Sequence, residues 1–206
     1  MTGSRPSLWV FAGPNGAGKS TLVQRYKVGS RIPMVNPDDI AAAIRDTLTS
    51  DAAALAKAGR LAVEQRMQLV QAGRSFGVET TLTGRSELQL MRTAKERGYK
   101  VNLVYVGLDD ADQSNSRVSE RVRRGGHDVP EQDIYRRFDR SLANLPAAIG
   151  LSDRVRILDN SDERRRTLLK IDNGQVRTVN RIIPEWARKA IPAELRRLTQ
   201  GRDQGY

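Results

Sequence analysis

An α/β fold, with a parallel sheet wrapped by helices, is predicted by three features of this 206-residue sequence. Short apolar runs recur along it, amphipathic helical patterns alternate with them, and no repeat or long linker divides the chain. Asp172-Asn173-Gly174, an Asn-Gly hairpin signal flanked by two strand candidates, lies late in the sequence, so one antiparallel pair should extend a sheet edge.

The elements follow in order. Leu8–Phe11 reads as a buried strand, followed by a glycine-rich turn and a helix from about Ser20 to Tyr26. Ile32–Val35 is a second strand despite Pro33. Asn36-Pro37-Asp38-Asp39 then caps a helix running through Ile40, Ala43, Ile44 and Leu48. Asp51 is expected to cap an alanine-rich helix, with Leu55, Ala62, Val63, Met67 and Val70 toward the core and Gly73 closing it. Phe76–Thr80 is a third strand, Glu87–Arg97 a helix stopped by Gly98, and Val101–Val106 a nearly unbroken apolar strand. Two polar helices, about Asp112–Arg124 and Glu131–Asn144, are joined by Gly125-Gly126-His127-Asp128-Val129-Pro130. Val155–Leu158 is the fifth strand, and Thr167–Ile171 and Gln175–Val179 form the hairpin. One domain is expected over 1–180, its lid region near 112–145. Residues 181–206 form a basic, helical and peripheral tail packed on it or trailing from it.

Composition narrows the chemistry. There is no cysteine, which removes disulfides, thiol catalysis and cysteine metal sites, and the single histidine, His127, removes multi-histidine sites. No apolar run has the roughly 20 residues of a membrane span, and no signal-peptide pattern opens the chain, so a soluble cytoplasmic protein is expected. The net charge is +11, with 28 arginines against 7 lysines, and guanidinium pairs bidentately with phosphate. From Arg154 onward 13 basic residues face 7 acidic ones, so this last quarter carries +6 of the total. Anionic partners are expected, and a nucleotide or nucleotide sugar satisfies that as well as a nucleic acid.

Gly13-Pro14-Asn15-Gly16-Ala17-Gly18-Lys19-Ser20 matches G-x-x-x-x-G-K-[ST] in full, between a strand and a helix. The inward-pointing backbone N–H groups of such a loop, with Thr21 beginning the helix, cradle nucleotide phosphates. Lys19 would reach the β and γ phosphates, and the Ser20 hydroxyl would hold Mg²⁺. The fold is then a P-loop NTPase fold. No Asn-Lys-x-Asp guanine signature is present, and the strand leading to Asp109 and Asp110 is a poor magnesium-aspartate strand. A small-molecule kinase using ATP is the economical reading at this size.

A kinase needs a carboxylate to accept the acceptor's hydroxyl proton. Asp38 and Asp39 follow the second strand, where both capping and catalysis are open to them; Asp39 can cap while Asp38 points into the cleft. Glu79, Thr80, Thr81 and Thr83 end the third strand, where open α/β sheets collect ligands. A threonine-rich strand end is the plain alternative. Glu79 could hold a magnesium water, and Thr81 the acceptor. Arg117, Arg121, Arg123 and Arg124, then Arg136, Arg137 and Arg140, lie on the two polar helices. They are either a solvated basic face or a lid closing on the phosphates, Arg124 among them on ATP, with Gly125-Gly126 as hinge. His127 reads as a loop contact.

These segments together resemble the zeta-toxin family, the P-loop kinases of toxin–antitoxin systems. The match runs from Leu8 to Ser161 through the phosphate loop, Asn36-Pro37-Asp38-Asp39-Ile40-Ala41 and Glu79-Thr80-Thr81-Leu82-Thr83-Gly84. It continues through Arg117-Val118, Arg121-Val122, Gly125–Glu131 and Asp159-Asn160-Ser161. The resemblance implies a nucleoside-kinase-like fold. It also implies transfer of the ATP γ-phosphate to a UDP-amino sugar, the 3′-hydroxyl of UDP-N-acetylglucosamine, whose product poisons cell-wall synthesis. An antitoxin would be the protein partner. By motif position Lys19 becomes the phosphate lysine, Asp38 the base, Thr81 a substrate contact and Arg121 or Arg117 the lid arginine. The Asp159-Asn160 turn would lie near the adenine. The family's substrate glutamate corresponds to Glu64 with the spacing off by about one, and His127 stands near a second lid arginine. Rival readings are a kinase for an antibiotic or metabolite hydroxyl, a nucleic-acid-associated NTPase, and a nucleotide-binding partner without turnover. Against the nucleic-acid reading, the basic excess lies in the tail with no aromatic platform, Trp186 reading as packing. Intact Lys19, Ser20 and Asp38 argue against the last.

Overall fold

The computed structural model describes residues 5–44, 47, 50–126, 128–193 and 195. Its elements run β1 (Ser7–Ala12), α1 (Lys19–Arg25), a 3-10 turn (Val28–Ser30), β2 (Met34–Val35), α2 (Pro37–Ile44), α3 (Asp51–Gln71), β3 (Phe76–Thr80) and α4 (Arg85–Glu96). Then come β4 (Lys100–Gly107), α5 (Ala111–Arg123), α6 (Glu131–Gly150), β5 (Arg154–Asp159), β6 (Arg166–Asp172), β7 (Gln175–Val179) and α7 (Glu185–Ala190).

All seven strands form one sheet in the order β2-β3-β1-β4-β5-β6-β7. The first five are parallel, and β6 and β7 continue the edge antiparallel across the Asn173-Gly174 turn. Asn173 and Gly174 both have positive φ, as that tight turn requires. The chain leaves β1 toward β2 on one side and leaves β4 toward β5 on the other. The carboxyl ends of β1 and β4 therefore frame the crevice where open sheets bind ligands. Register completes the frame: Ala12 lies opposite both Thr80 and Tyr105, and Val35 opposite Val78. The turn after β2 and the end of β3 thus meet the loop after β1.

Alternation along β1 divides the core in two. Leu8, Val10 and Ala12 face a large cluster with α3, α4 and α6, while Phe11 and, half-buried, Trp9 face a smaller one with α1. On α3 the buried stripe is Ala54, Ala58, Ala62, Arg66 and Val70. Leu55 and Val63, expected in the core, are instead 42% and 47% exposed. Small alanines let α3 approach its neighbours closely, so the stripe is carried by the residues that fit. The cap of α3 is Ser50, whose hydroxyl accepts from the Ala53 N–H at 3.2 Å, rather than Asp51. Leu48 lies outside the described residues.

Helix α6 runs on through Pro146 to Gly150, beyond the expected end at Asn144. Proline inside a helix costs about 3 kcal/mol, and Leu145, Ala148 and Ile149 offset this by continuing the buried stripe. The start of the tail is likewise not peripheral. Trp186, Ala187 and Ile191 belong to the main core, and the Trp186 indole lies against Gly107, where any side chain would collide with it. No helix among the described residues is long and apolar enough to cross a membrane. Trp186→Ala should therefore cost about 3–5 kcal/mol, as for other buried aromatics, measured by denaturant unfolding. A cost below about 0.5 kcal/mol, typical of surface positions, would show that α7 contributes nothing to the core.

Candidate active site

The loop from Gly13 to Ser20 crosses from β1 to α1 over the end of β4. A Cβ at Gly13 would fall on the carbonyl oxygen of Val106, and Gly13, Gly16 and Gly18 all have positive φ. The loop is held on two further sides. Ser114 of α5, fully buried, donates its hydroxyl to the Asn15 carbonyl at 2.6 Å, and Asn160 donates its side-chain amide to the Ala17 carbonyl at 3.0 Å. Arg117 packs its Cβ where a side chain on Gly16 would sit and donates to the Ser161 carbonyl at 3.2 Å. Pro14 presents its carbonyl inward, to Lys19.

Lys19 is 8% exposed and donates to the Pro14 carbonyl at 2.9 Å. Burial lowers its pKa from 10.5 to about 8, opposed by Glu79 and Asp38 and assisted by Arg121. Glu79 accepts the Ser20 hydroxyl at 2.6 Å. Burial raises its pKa; the Ser20 bond and Lys19 oppose this, while Asp38 and Asp39 add to it. Lys19, Glu79, Asp38 and Arg121 thus share one electrostatic neighbourhood, assembled from α1, β3, α2 and α5.

Asp38 and Asp39 are exposed in the first turn of α2. The cap is Asn36, whose side-chain oxygen accepts from the Asp38 N–H at 3.1 Å. Asp39 is therefore released from the capping role expected of it. After β3 the Thr80 hydroxyl accepts from the Leu82 N–H at 3.0 Å, and the Thr81 and Thr83 hydroxyls lie 3.1 Å apart. Leu82 has a φ of 59°, rare for a branched residue, with its side chain fully buried. Asn144 of α6 holds the Leu82 carbonyl at 2.9 Å. This strained, pinned turn was missed in the sequence; a leucine between threonines carries no sign of positive φ.

Three expected site residues sit differently. Arg124 is 77% exposed and paired with Glu120 at 2.7 Å, away from the loop. Asp159 is 1% exposed, and its carboxylate is consumed by Ser161, Arg166 and Trp186, so Asn160, not Asp159, reaches the phosphate loop. Glu64 is solvent-exposed on α3, while Arg66 turns inward to Glu87 at 3.8 Å with its Nε buried and unpartnered. His127 lies outside the described residues. No three acidic or histidine side chains among the described residues cluster as a metal cage. The Ser20–Glu79 oxygen pair fits Mg²⁺, which typically takes one or two protein oxygens and completes its shell with phosphates and water.

A family model for an AAA domain, AAA_33, matches residues 8–145, more than half of the sequence. The chain belongs to that family. Within sequence relatives, this AAA_33 protein is 33% identical to an uncharacterised protein of Haemophilus influenzae, over 65% of this chain and 99% of that one. In structure it is similar to the AvrRxo1-ORF1:AvrRxo1-ORF2 complex determined with sulphate ions (TM-score 0.74, 20% identity), covering 91% of this chain and 64% of that one. The same complex with ATP gives a TM-score of 0.71 at 20% identity, over 95% of this chain and 63% of that one. The AAA_33 chain thus spans less than two thirds of those proteins. The PezAT toxin–antitoxin system of Streptococcus pneumoniae gives 0.61 at 14% identity, over 97% and 88%. These likenesses show a P-loop kinase-like fold.

The buried lysine sets a pH signature. Its folded pKa of about 8 lies below its unfolded 10.5, so in the free protein it lowers stability fully below pH 8 and progressively less from 8 to 10.5. Lys19→Met should leave the ligand-free Tm at pH 7 unchanged or higher, with nucleotide affinity lost. A Tm several degrees lower would mean that the ammonium supports the fold. In the unsubstituted protein, ATP affinity should weaken as pH rises above about 8, checked by calorimetric titration.

Proposed function

We propose that this chain is an ATP-dependent small-molecule kinase of the zeta-toxin kind. It would transfer the γ-phosphate to a hydroxyl of a UDP-amino sugar, the 3′-hydroxyl of UDP-N-acetylglucosamine. The observation that carries this reading is the meeting of Lys19, Glu79, Asp38 and Arg121 beside an intact phosphate loop. The ATP named in one neighbouring complex supports the donor, and the toxin–antitoxin system named in another supports an antitoxin partner.

In this mechanism the loop N–H groups and Lys19 hold the β and γ phosphates. Ser20 and Glu79 would hold Mg²⁺, which supplies charge neutralisation on the phosphate oxygens. The acceptor oxygen attacks the γ phosphorus, the bond from that phosphorus to the β–γ bridging oxygen breaks, and ADP leaves. The hydroxyl proton passes to Asp38. Arg121, followed by the positive-φ Gly125, offsets charge on the transferring oxygens, while Arg117 steadies the loop. Thr81 and Thr83 offer hydroxyls to the acceptor; Thr80 is occupied by its own turn.

One observation favours a different acceptor hydroxyl, that of another metabolite or an antibiotic: the inward residue on α3 is the cationic Arg66, not Glu64. Mass spectrometry of nucleotide sugars, aminoglycosides and sugar alcohols incubated with protein, ATP and Mg²⁺ separates the two. A gain of one phosphate on UDP-N-acetylglucosamine alone is expected. Phosphate on no acceptor, with the protein folded and nucleotide-bound, would overturn the kinase reading.

Asp38→Asn should lower turnover by about 10² or more while ATP still binds, the usual scale for losing a general base. Asp39→Asn should stay within a few-fold in activity, with stability nearly unchanged because Asn36 makes the cap. The reverse ranking would move the base to Asp39.

A further inference from the structure

The two faces of the sheet are covered unequally. Helix α1 has only seven residues, and among the described residues the face below it carries an open groove. Trp9 and Phe11 of β1, Val104 of β4 and Leu158 of β5 floor a groove of about 790 Å³ there. The Trp9 and Phe11 rings stack with centroids 6.4 Å apart and planes 16° apart, and Tyr26 stands on the rim, 60% exposed. Parallel sheets of α/β proteins are ordinarily buried on both faces. The volume matches about two turns of a helix roughly 10 Å across.

The rim is cationic. Arg25, Arg31, Arg164 and Arg165 line the groove, and none of them makes an ion pair among the described residues. Arg156 and Arg166, also at the wall, are spoken for by Asp172 at 3.0 Å and Asp159 at 2.7 Å. Glu163 is the single carboxylate in the lining among the described residues.

We propose that this groove docks an acidic amphipathic helix of a partner protein, its apolar stripe on Trp9 and Phe11 and its carboxylates against the four arginines. Charge decides the occupant. The chain's own residues after Leu195 carry three arginines and one aspartate, the wrong sign, and Leu195 itself packs against the cluster on the opposite face. A second copy carries +11 and is repelled. The floor is apolar and recessed, with Trp9 the one half-buried aromatic on it among the described residues, which suits a helix ridge better than a run of stacked bases. No residue of the phosphate loop lines the groove, so the inference stands apart from the kinase reading.

The test uses an 18-residue peptide with leucines at helical i, i+3, i+4 spacing and glutamates elsewhere, its lysine-for-glutamate counterpart, and a single-stranded oligonucleotide. Trp9 fluorescence is the readout; the other tryptophan, Trp186, is buried in the core, and Trp9→Phe identifies the signal. The glutamate peptide should shift Trp9 emission. Its Kd should rise about tenfold or more in an Arg25→Glu/Arg164→Glu variant and with added salt, the lysine peptide giving no response. Lys19→Met should bind the peptide unchanged. Should the double reversal fail to fold by circular dichroism, Arg31→Glu and Arg165→Glu supply the same comparison. Binding indifferent to the rim reversals, binding of the oligonucleotide in place of the peptide, or no binding of the glutamate peptide would each overturn the proposal.

Discussion

Asp159 is a carboxylate buried at the end of β5, and a buried charge is tolerated only when its surroundings supply donors. Here they come from three directions: the hydroxyl of Ser161 at 2.6 Å, the guanidinium of Arg166 at 2.7 Å and the indole of Trp186 at 3.2 Å. Those partners belong to the loop after β5, the start of β6 and α7, so one side chain fixes where the edge hairpin and the last helix meet the central sheet. The next residue carries the effect to the chemistry. Asn160 donates its backbone N–H to the Gly107 carbonyl at 3.0 Å and its side-chain amide to the Ala17 carbonyl at 3.0 Å. The phosphate loop therefore inherits its position from the distal edge of the sheet. Any change that leaves Asp159 short of a donor strands a charge in the core.

The loop itself is arranged for an anion. Lys19 is buried at a cost visible in its lowered pKa, and the carboxylate of Glu79 is buried close by with its pKa raised. Neither group is at ease in the free protein. A phosphate placed against the loop would relieve the lysine, while a cation at the Ser20–Glu79 pair would relieve the carboxylate. Binding energy from a nucleotide would thus be matched to charges already desolvated, the kind of preorganisation that favours reaction over mere retention.

The parallel sheet, its edge hairpin and the phosphate loop were legible because each rests on local patterns: apolar runs, an Asn-Gly turn and a glycine spacing. Much of what escaped depends on partners distant in sequence, and the rest on which of several neighbouring side chains takes a role. Leu55 and Val63 look like core residues on any apolar scale, yet the alanine stripe of α3 fits the sheet and they do not. Trp186 sits in a basic segment that reads as a tail, and only the bare surface of Gly107 makes room for it. Asn36 takes the cap that two following aspartates seem to claim. Arg124 caps the helix that carries Arg121, and its side chain turns out to Glu120. Leu82 holds its left-handed backbone because Asn144, 62 residues away, keeps its carbonyl.

The two halves of the site differ in how firmly they are built. On the nucleotide side the loop is tied at Gly13 to the end of β4, at Asn15 and Gly16 to α5, and at Ala17 to the turn after β5. On the proposed acceptor side stand the exposed first turn of α2 and the pinned turn after β3; on the α3–α4 seam Arg66 faces Glu87 at a loose 3.8 Å with its Nε unmatched. A buried guanidinium with donor capacity to spare is costly unless something completes it. The phosphate-loop half of the site is therefore determined by the fold, whereas on the proposed reading acceptor choice would rest on a few side chains of α2 and the Thr81–Thr83 turn. Those side chains can change without disturbing the sheet. On the proposed reading, one scaffold of this kind could keep its phosphate chemistry while its acceptor changes; on α3 the inward position is held by Arg66, while Glu64, the residue matched to the resembled family's substrate glutamate, faces solvent.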